Sequence, residues 1–255
     1  MTSTLLPPAL TPGALLFMLL ATLVAGLARG FSGFGGALIF MPLASIVIEP
    51  KLASAVLLIA DGFAALSLIP NATRHARKRD ALVMGTGALI GVPLGTAVLV
   101  HVAPITLRWG ISLTVIALLL LLVSGWRYRG EAKTWLSVSV GFVSGLFSGA
   151  AQLGGPPVVA YFLGRQMPSS TIRANIILYF AVSTLISTAA YGLSGLLTLH
   201  SAVLAALTAP VYSLGLFCGS RLFGLASERV FRNVCYGLIL TAAVVGLPVI
   251  DGWLR

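Results

Sequence analysis

Uncharged apolar runs of about 20 residues recur along this 255-residue chain, and they limit its folds more than any other feature. A helix rises 1.5 Å per residue, so ~20 residues cross the ~30 Å of a bilayer's hydrocarbon. A chain built of such runs has lipid as its solvent. Composition agrees: 9% of the residues are charged, against roughly 25% in an ordinary soluble domain. The formal charge of +10 sits in short connectors, not on a basic face interleaved with aromatics, which argues against nucleic acid as a partner and reads as a topology signal. Cys218 and Cys235 lie inside apolar runs, His75 in a basic connector, and His101 and His200 at span ends. That distribution supplies neither a disulfide framework, a metal cluster nor a nucleophile and base pair, so no enzyme, cofactor or metal is expected. Residues 1–12 carry no Lys or Arg, so the charged start of a secretory signal is missing and the first run is read as mature protein.

Ten apolar segments succeed one another: 13–29, 37–48, 52–69, 81–100, 107–126, 135–149, 156–163, 172–194, 201–220 and 230–250. The second and seventh would rise only ~18 and ~12 Å as helices, too little to cross unaided. Each comes after a longer segment across a glycine cluster, so each pair reads as a helical hairpin with a broken or re-entrant tip. Unpaired backbone at membrane depth is tolerated only where protein buries it or a cavity wets it.

The chain also repeats itself. Shifted by 119 residues, Val24, Gly26, Leu27, Gly30, Gly35 and Gly36 fall on Val143, Gly145, Leu146, Gly149, Gly154 and Gly155. Five residues more of offset lay Gly91, Gly95 and Arg108 on Gly215, Gly219 and Arg232. The five-segment unit therefore occurs twice, as 1–126 and 127–255 within one membrane domain. The connectors 71–80, 127–134, 164–173 and 221–232 hold twelve of the sixteen Lys and Arg, which makes their side cytoplasmic. Both termini are then expected outside. With three full spans and one hairpin each, the halves have opposite topology, the inverted-repeat plan of many secondary transporters. Trp109, Trp126, Trp135 and Trp253 all fall at span ends, as interfacial anchors do.

The first tip reads Arg29-Gly30-Phe31-Ser32-Gly33-Phe34-Gly35-Gly36, and the second runs from Ser148 through Gln152, Gly154 and Gly155 to Pro156 and Pro157. Glycine lets the backbone turn through positive φ and lets a ligand come close, while Pro156 suits the first turn of a helix starting after the break. The N-terminal N–H groups and positive dipole ends of the two short helices are expected to point at one another from opposite sides of the membrane and to hold an anion. Close packing of small residues is the competing account of the same glycines. Neither cluster comes after a strand in a βαβ unit, so a nucleotide is not implied.

The stretches GLARGFSGFGGALIFMPL (26–43) and GLFSGAAQLGGPPVVAYFL (145–163) resemble the two glycine-rich signatures of the sulfite exporter TauE/SafE family of membrane proteins. Length, charged central connector and repeat extend the likeness over the whole chain. The resemblance implies a transporter of small anions such as sulfite, sulfoacetate or related sulfonates and organic acids, in a prokaryotic inner membrane.

Three further features bear on transport. Arg29 is the one strong cation inside a predicted hairpin; arginine at membrane depth marks a pathway or a paired charge, so it either contacts the anion or snorkels to an interface. Asp61, the one carboxylate near the middle of a full span, is a candidate proton carrier, with pairing to a hydroxyl or to Arg29 as the structural alternative. In the eighth segment Asn175, Tyr179, Ser183, Ser187 and Tyr191 recur every four residues and so share one helical face; such a stripe lines a pathway or bonds neighbouring helices. The sequence thus predicts an all-α membrane bundle moving a small oxyanion by alternating access, with a proton as candidate coupling ion and the lipid bilayer as its setting. The substrate set is Arg29, Ser32, Gly33, Gly35 and Gly36 in the first tip, Gln152, Gly154, Gly155 and Pro156 in the second, and Asn175 and Tyr179 on the stripe. A passive anion channel using the same tips, or a membrane assembly partner without transport, are the alternatives. Homo-oligomerisation stays open.

Overall fold

Thr11 opens the first helix by accepting a hydrogen bond from the Ala14 amide at 3.2 Å, and Pro12 occupies a first-turn position that needs no N–H. The computed structural model describes residues 10–128, 133–222 and 228–251, and every regular element among them is helical. In chain order these are α1 (Pro12–Ser32), α2 (Gly36–Val47), α3 (Pro50–Ala65), a 3-10 turn (Leu66–Leu68), α4 (Ile69–His75), α5 (Lys78–His101) and α6 (Pro104–Val123). Then come α7 (Thr134–Ala151), α8 (Gly155–Leu163), α9 (Ser169–Leu193), α10 (Leu199–Leu222), α11 (Glu228–Val245) and a closing 3-10 turn (Pro248–Ile250).

Seven helical stretches among the described residues are long and apolar enough to cross a membrane: α1, α3 continued through the turn into α4, α5, α6, α7, α9 and α10. The protein is thus an integral, multi-pass membrane protein. Helices α2 and α8, with 12 and 9 residues, rise only ~18 and ~14 Å; they are the short limbs expected after each glycine cluster. Trp109, Trp126 and Trp135 lie near helix ends with 40%, 58% and 64% of their surface exposed, as residues meant for an interface should. Trp253 lies outside the described residues.

The chain forms two compact units, each drawing on both halves of the sequence. The first combines residues 1–64, 102–120 and 195–255; the second combines 65–101 and 121–194. In the first unit α1 crosses α10 so closely that a side chain at Gly26 or Gly30 would strike backbone: a Cβ on Gly26 would lie 3.1 Å from the Leu216 amide nitrogen, and one on Gly30 2.9 Å from the Leu216 Cα. In the second unit α7 crosses α5 in the same manner. A Cβ on Gly145 would lie 2.8 Å from the Ala88 Cα, and one on Gly149 2.9 Å from the Thr96 amide nitrogen. Without a hydrophobic effect between helices in lipid, backbone approach at small residues is what holds such a pair together.

Helix α9 of the second unit is polar inside and apolar outside. Asn175, Tyr179, Ser183, Ser187 and Tyr191 form its buried face, while Leu185 is 73% exposed. In water that arrangement would not persist; in lipid it is set by the solvent.

Candidate functional site

The first helix break is built by three consecutive devices. Gly33 ends α1 in the left-handed conformation, φ 81°, with its amide donating to the Arg29 carbonyl at 2.8 Å. The Ser32 hydroxyl donates to the Ala28 carbonyl at 2.7 Å and accepts from the amides of Gly35 and Phe34 at 3.0 and 3.4 Å. It therefore closes the turn. Helix α2 then starts at Gly36 with no side-chain cap from Gly35, and the first-turn amides of a helix have no intrahelical acceptor. Gly33 is exposed, whereas Gly35 and Gly36 are buried.

Beside this break three side chains from three helices meet. The Arg29 guanidinium (α1) donates to both carboxylate oxygens of Asp61 (α3), from Nε to Oδ1 at 3.0 Å and from Nη2 to Oδ2 at 3.2 Å. Tyr212 (α10) donates its hydroxyl to Asp61 Oδ1 at 2.7 Å. Arg29 Nη1 donates to the Gly33 carbonyl, tying the charge to the helix cap. The side chains of Arg29 and Asp61 keep 13% and 27% of their surface accessible, so the carboxylate is the more open partner. A Cβ on Gly36 would lie 2.6 Å from the Tyr212 hydroxyl and 3.1 Å from the Arg29 Cβ; only glycine leaves room for the cluster at the start of α2.

The second break repeats the first at the positions the 119-residue offset pairs. Helix α7 ends at Ala151 where α1 ends at Ser32, and Gln152 takes the left-handed position of Gly33, φ 59°. Gly154 and Gly35 precede the two short helices, neither of which is capped by a side chain. The chemistry differs. Pro156 and Pro157 carry no N–H, so of the first three residues of α8 only Gly155 offers a donor, and Pro156 contributes helix geometry instead of a hydrogen bond. Gln152 Nε2 donates to the Tyr191 hydroxyl at 3.3 Å, and that hydroxyl donates to the Gly149 carbonyl at 2.9 Å. Ser144 donates to the Gly154 carbonyl at 2.7 Å. Gly154, Gly155 and Pro156 are all buried.

The two α9 residues in the substrate set are bonded to neighbouring backbone. Asn175 Oδ1 accepts from the Arg77 amide at 2.7 Å, and Tyr179 donates to the Gly141 carbonyl at 3.3 Å. Asn175 Nδ2 and Ser187 Oγ are buried without a hydrogen-bond partner, which leaves two donors on this face uncommitted. Tyr212 is invisible to sequence reasoning, since an isolated tyrosine in an apolar span carries no signal of its partner. The same is true of the bidentate pair of Arg108 with Asp251, at 2.7 and 2.8 Å, and of Arg165 with Asp80 at 2.8 Å.

The family model for the sulfite exporter TauE/SafE matches residues 18–246, a range that contains both helix breaks and the Arg29, Asp61 and Tyr212 cluster. A probable sulfite/organosulfonate exporter TauE from Cupriavidus necator is 31% identical to this chain over 114 residues. That match spans 44% of this chain and 44% of the relative's own length. No solved structure matches the chain.

Proposed function

This chain belongs to the sulfite exporter TauE/SafE family of membrane transporters, and from that premise we propose that it carries a small oxyanion, such as sulfite, sulfoacetate or a related sulfonate or organic acid, by alternating access. The observation that carries the reading is the duplicated helix break. Two short helices begin at paired glycines, Gly35 and Gly36 and Gly154 and Gly155, each without a side-chain cap. An uncapped helix start with its positive dipole end favours an anion. The name of the Cupriavidus relative points to the same class of substrate. The paired breaks and the matching glycine crossings support two repeats, 1–126 and 127–255, read here as of inverted topology; the connector charges support both termini outside, and the family resemblance points to the cell's inner membrane.

Within this reading the first break supplies the cation, Arg29, and the amides of α2. The second, in its own unit, offers an anion the Gly155 amide and the Gln152 side chain. Asp61 is the coupling carboxylate. Sulfoacetate binding to the purified protein tests the breaks. Gly36→Ala and Gly155→Ala should abolish binding, and Gln152→Ala should weaken it about 5 to 150-fold, the ~1–3 kcal/mol of an oxyanion lone pair left unmet. Gly110→Ala is the control, because a Cβ there meets nothing within 4 Å. Equal losses from break and control variants at matched expression would place the anion elsewhere.

A further inference from the structure

We infer that Asp61 occupies the Arg29 guanidinium as an internal anion and that the transported oxyanion displaces it, the freed carboxylate taking up a proton. The inference rests on the oxyanion transport proposed above. Its ground is the geometry of the cluster. Arg29 presents a two-nitrogen edge, and the carboxylate fills it with both oxygens; the oxygens of a sulfonate or sulfite offer that same edge the same bidentate pairing. One guanidinium edge cannot serve both. The pair also lies where an oxyanion would arrive, beside Gly36 at the uncapped start of α2, with the Gly33 cap carbonyl holding the third nitrogen.

Charge balance sets the fate of the displaced carboxylate. Arginine stays protonated in proteins, so the empty state is Arg29 cation with Asp61 anion, neutral together. Replacing Asp61 by an oxyanion without further change would leave two negative charges facing one positive charge in a low-dielectric site. Protonation of an Asp61 oxygen, forming one O–H bond with a proton drawn from the water on the open side, restores neutrality. Among the described residues, the titratable groups facing Asp61 are Arg29 from α1 and Tyr212 from α10. The tyrosine hydroxyl donates to the ionised carboxylate at 2.7 Å, and as a hydroxyl it accepts equally well from the protonated one. Tyr212 is therefore a positioning residue that keeps Asp61 in place through the exchange. One proton accompanies each anion in the same direction, and movement of a monovalent sulfonate is electroneutral.

Isothermal titration of the purified protein with ethanesulfonate, a strong acid's anion that stays ionised throughout, tests this when repeated in buffers of different ionisation heat. The wild type should take up one proton per anion bound near neutral pH, with affinity falling about tenfold per pH unit on the alkaline side, as linkage to one proton requires. Asp61→Asn should bind at least as tightly with no proton uptake and no pH dependence, and Arg29→Gln should not bind. The proton count is read on the wild type and does not depend on either variant folding. Wild-type binding that is flat with pH and takes up no proton would overturn the exchange while leaving oxyanion transport standing. Failure of the wild type to bind ethanesulfonate, sulfite and sulfoacetate alike would overturn both.

Discussion

Arginine at membrane depth costs about 2.5–3.5 kcal/mol on insertion scales, and Arg29 offsets that cost through two bonds to Asp61. Removing one partner strands the other charge; the about 3–5 kcal/mol of fully buried pairs is an upper bound here, since Arg29 and Asp61 keep 13% and 27% of their side-chain surface accessible. Asp61→Ala should therefore lower the thermal midpoint in detergent sharply, and adding Arg29→Leu to Asp61→Ala should recover most of the loss. If the double variant is no more stable than the single, the pair is not what holds these helices. Asn175→Leu should cost about 1–3 kcal/mol through the orphaned Arg77 amide, read in the same melting experiment. At this scale the sequence is legible in part. Arg29 and Asp61 stand out because charge in an apolar run is conspicuous, and their mutual pairing is among the readings the sequence allows. Tyr212 is not legible, because nothing in its own segment records that α10 crosses α1. Ser32 and Gln152 read as substrate donors by type, yet both spend hydrogen bonds inside their own units.

Between helices the glycines divide into two jobs. Gly26, Gly30, Gly145 and Gly149 pack backbone against backbone, whereas Gly33 turns the chain and Gly35, Gly36 and Gly154 start the short helices. Packing and site are competing accounts of one sequence pattern; the distances bear out packing for the crossing glycines, and the site account is the one proposed for those at the breaks. A methyl at a crossing forces the helices apart, at about 1–3 kcal/mol for an overpacked contact. Gly30→Ala and Gly149→Ala should reduce the folded fraction on size-exclusion chromatography, while Gly110→Ala should leave it unchanged or raise it slightly, by up to ~1 kcal/mol of helix propensity. Equal behaviour of all three would mean the crossings are looser than these distances require. Element existence is legible from apolar length and the glycine punctuation, down to the breaks after Ser32 and Ala151. The continuation of the third segment through a 3-10 turn into α4 is not, since Pro70 and the basic run after it read as a connector.

For the whole molecule, orientation is a matter of charge. Twelve of sixteen Lys and Arg lie in connectors on one proposed side, so a reporter active only in the cytoplasm should give signal when inserted after Arg79 and none after Ala103, at the other end of α5. The reverse pattern would invert the topology. The sequence halves do not reveal that each compact unit takes helices from both of them, because a repeat records descent of the segments and not which ones cross. Family membership is legible from the two glycine-rich stretches, which lie inside the matched range 18–246. The most direct test of the account is anion flux in proteoliposomes of the purified protein, with and without a pH gradient. The account predicts sulfite and sulfonate flux that saturates with concentration, is driven by a pH gradient with proton and anion moving together, and loses that drive in Asp61→Asn. Flux no greater than in protein-free liposomes, or a non-saturating leak indifferent to the gradient, would contradict it.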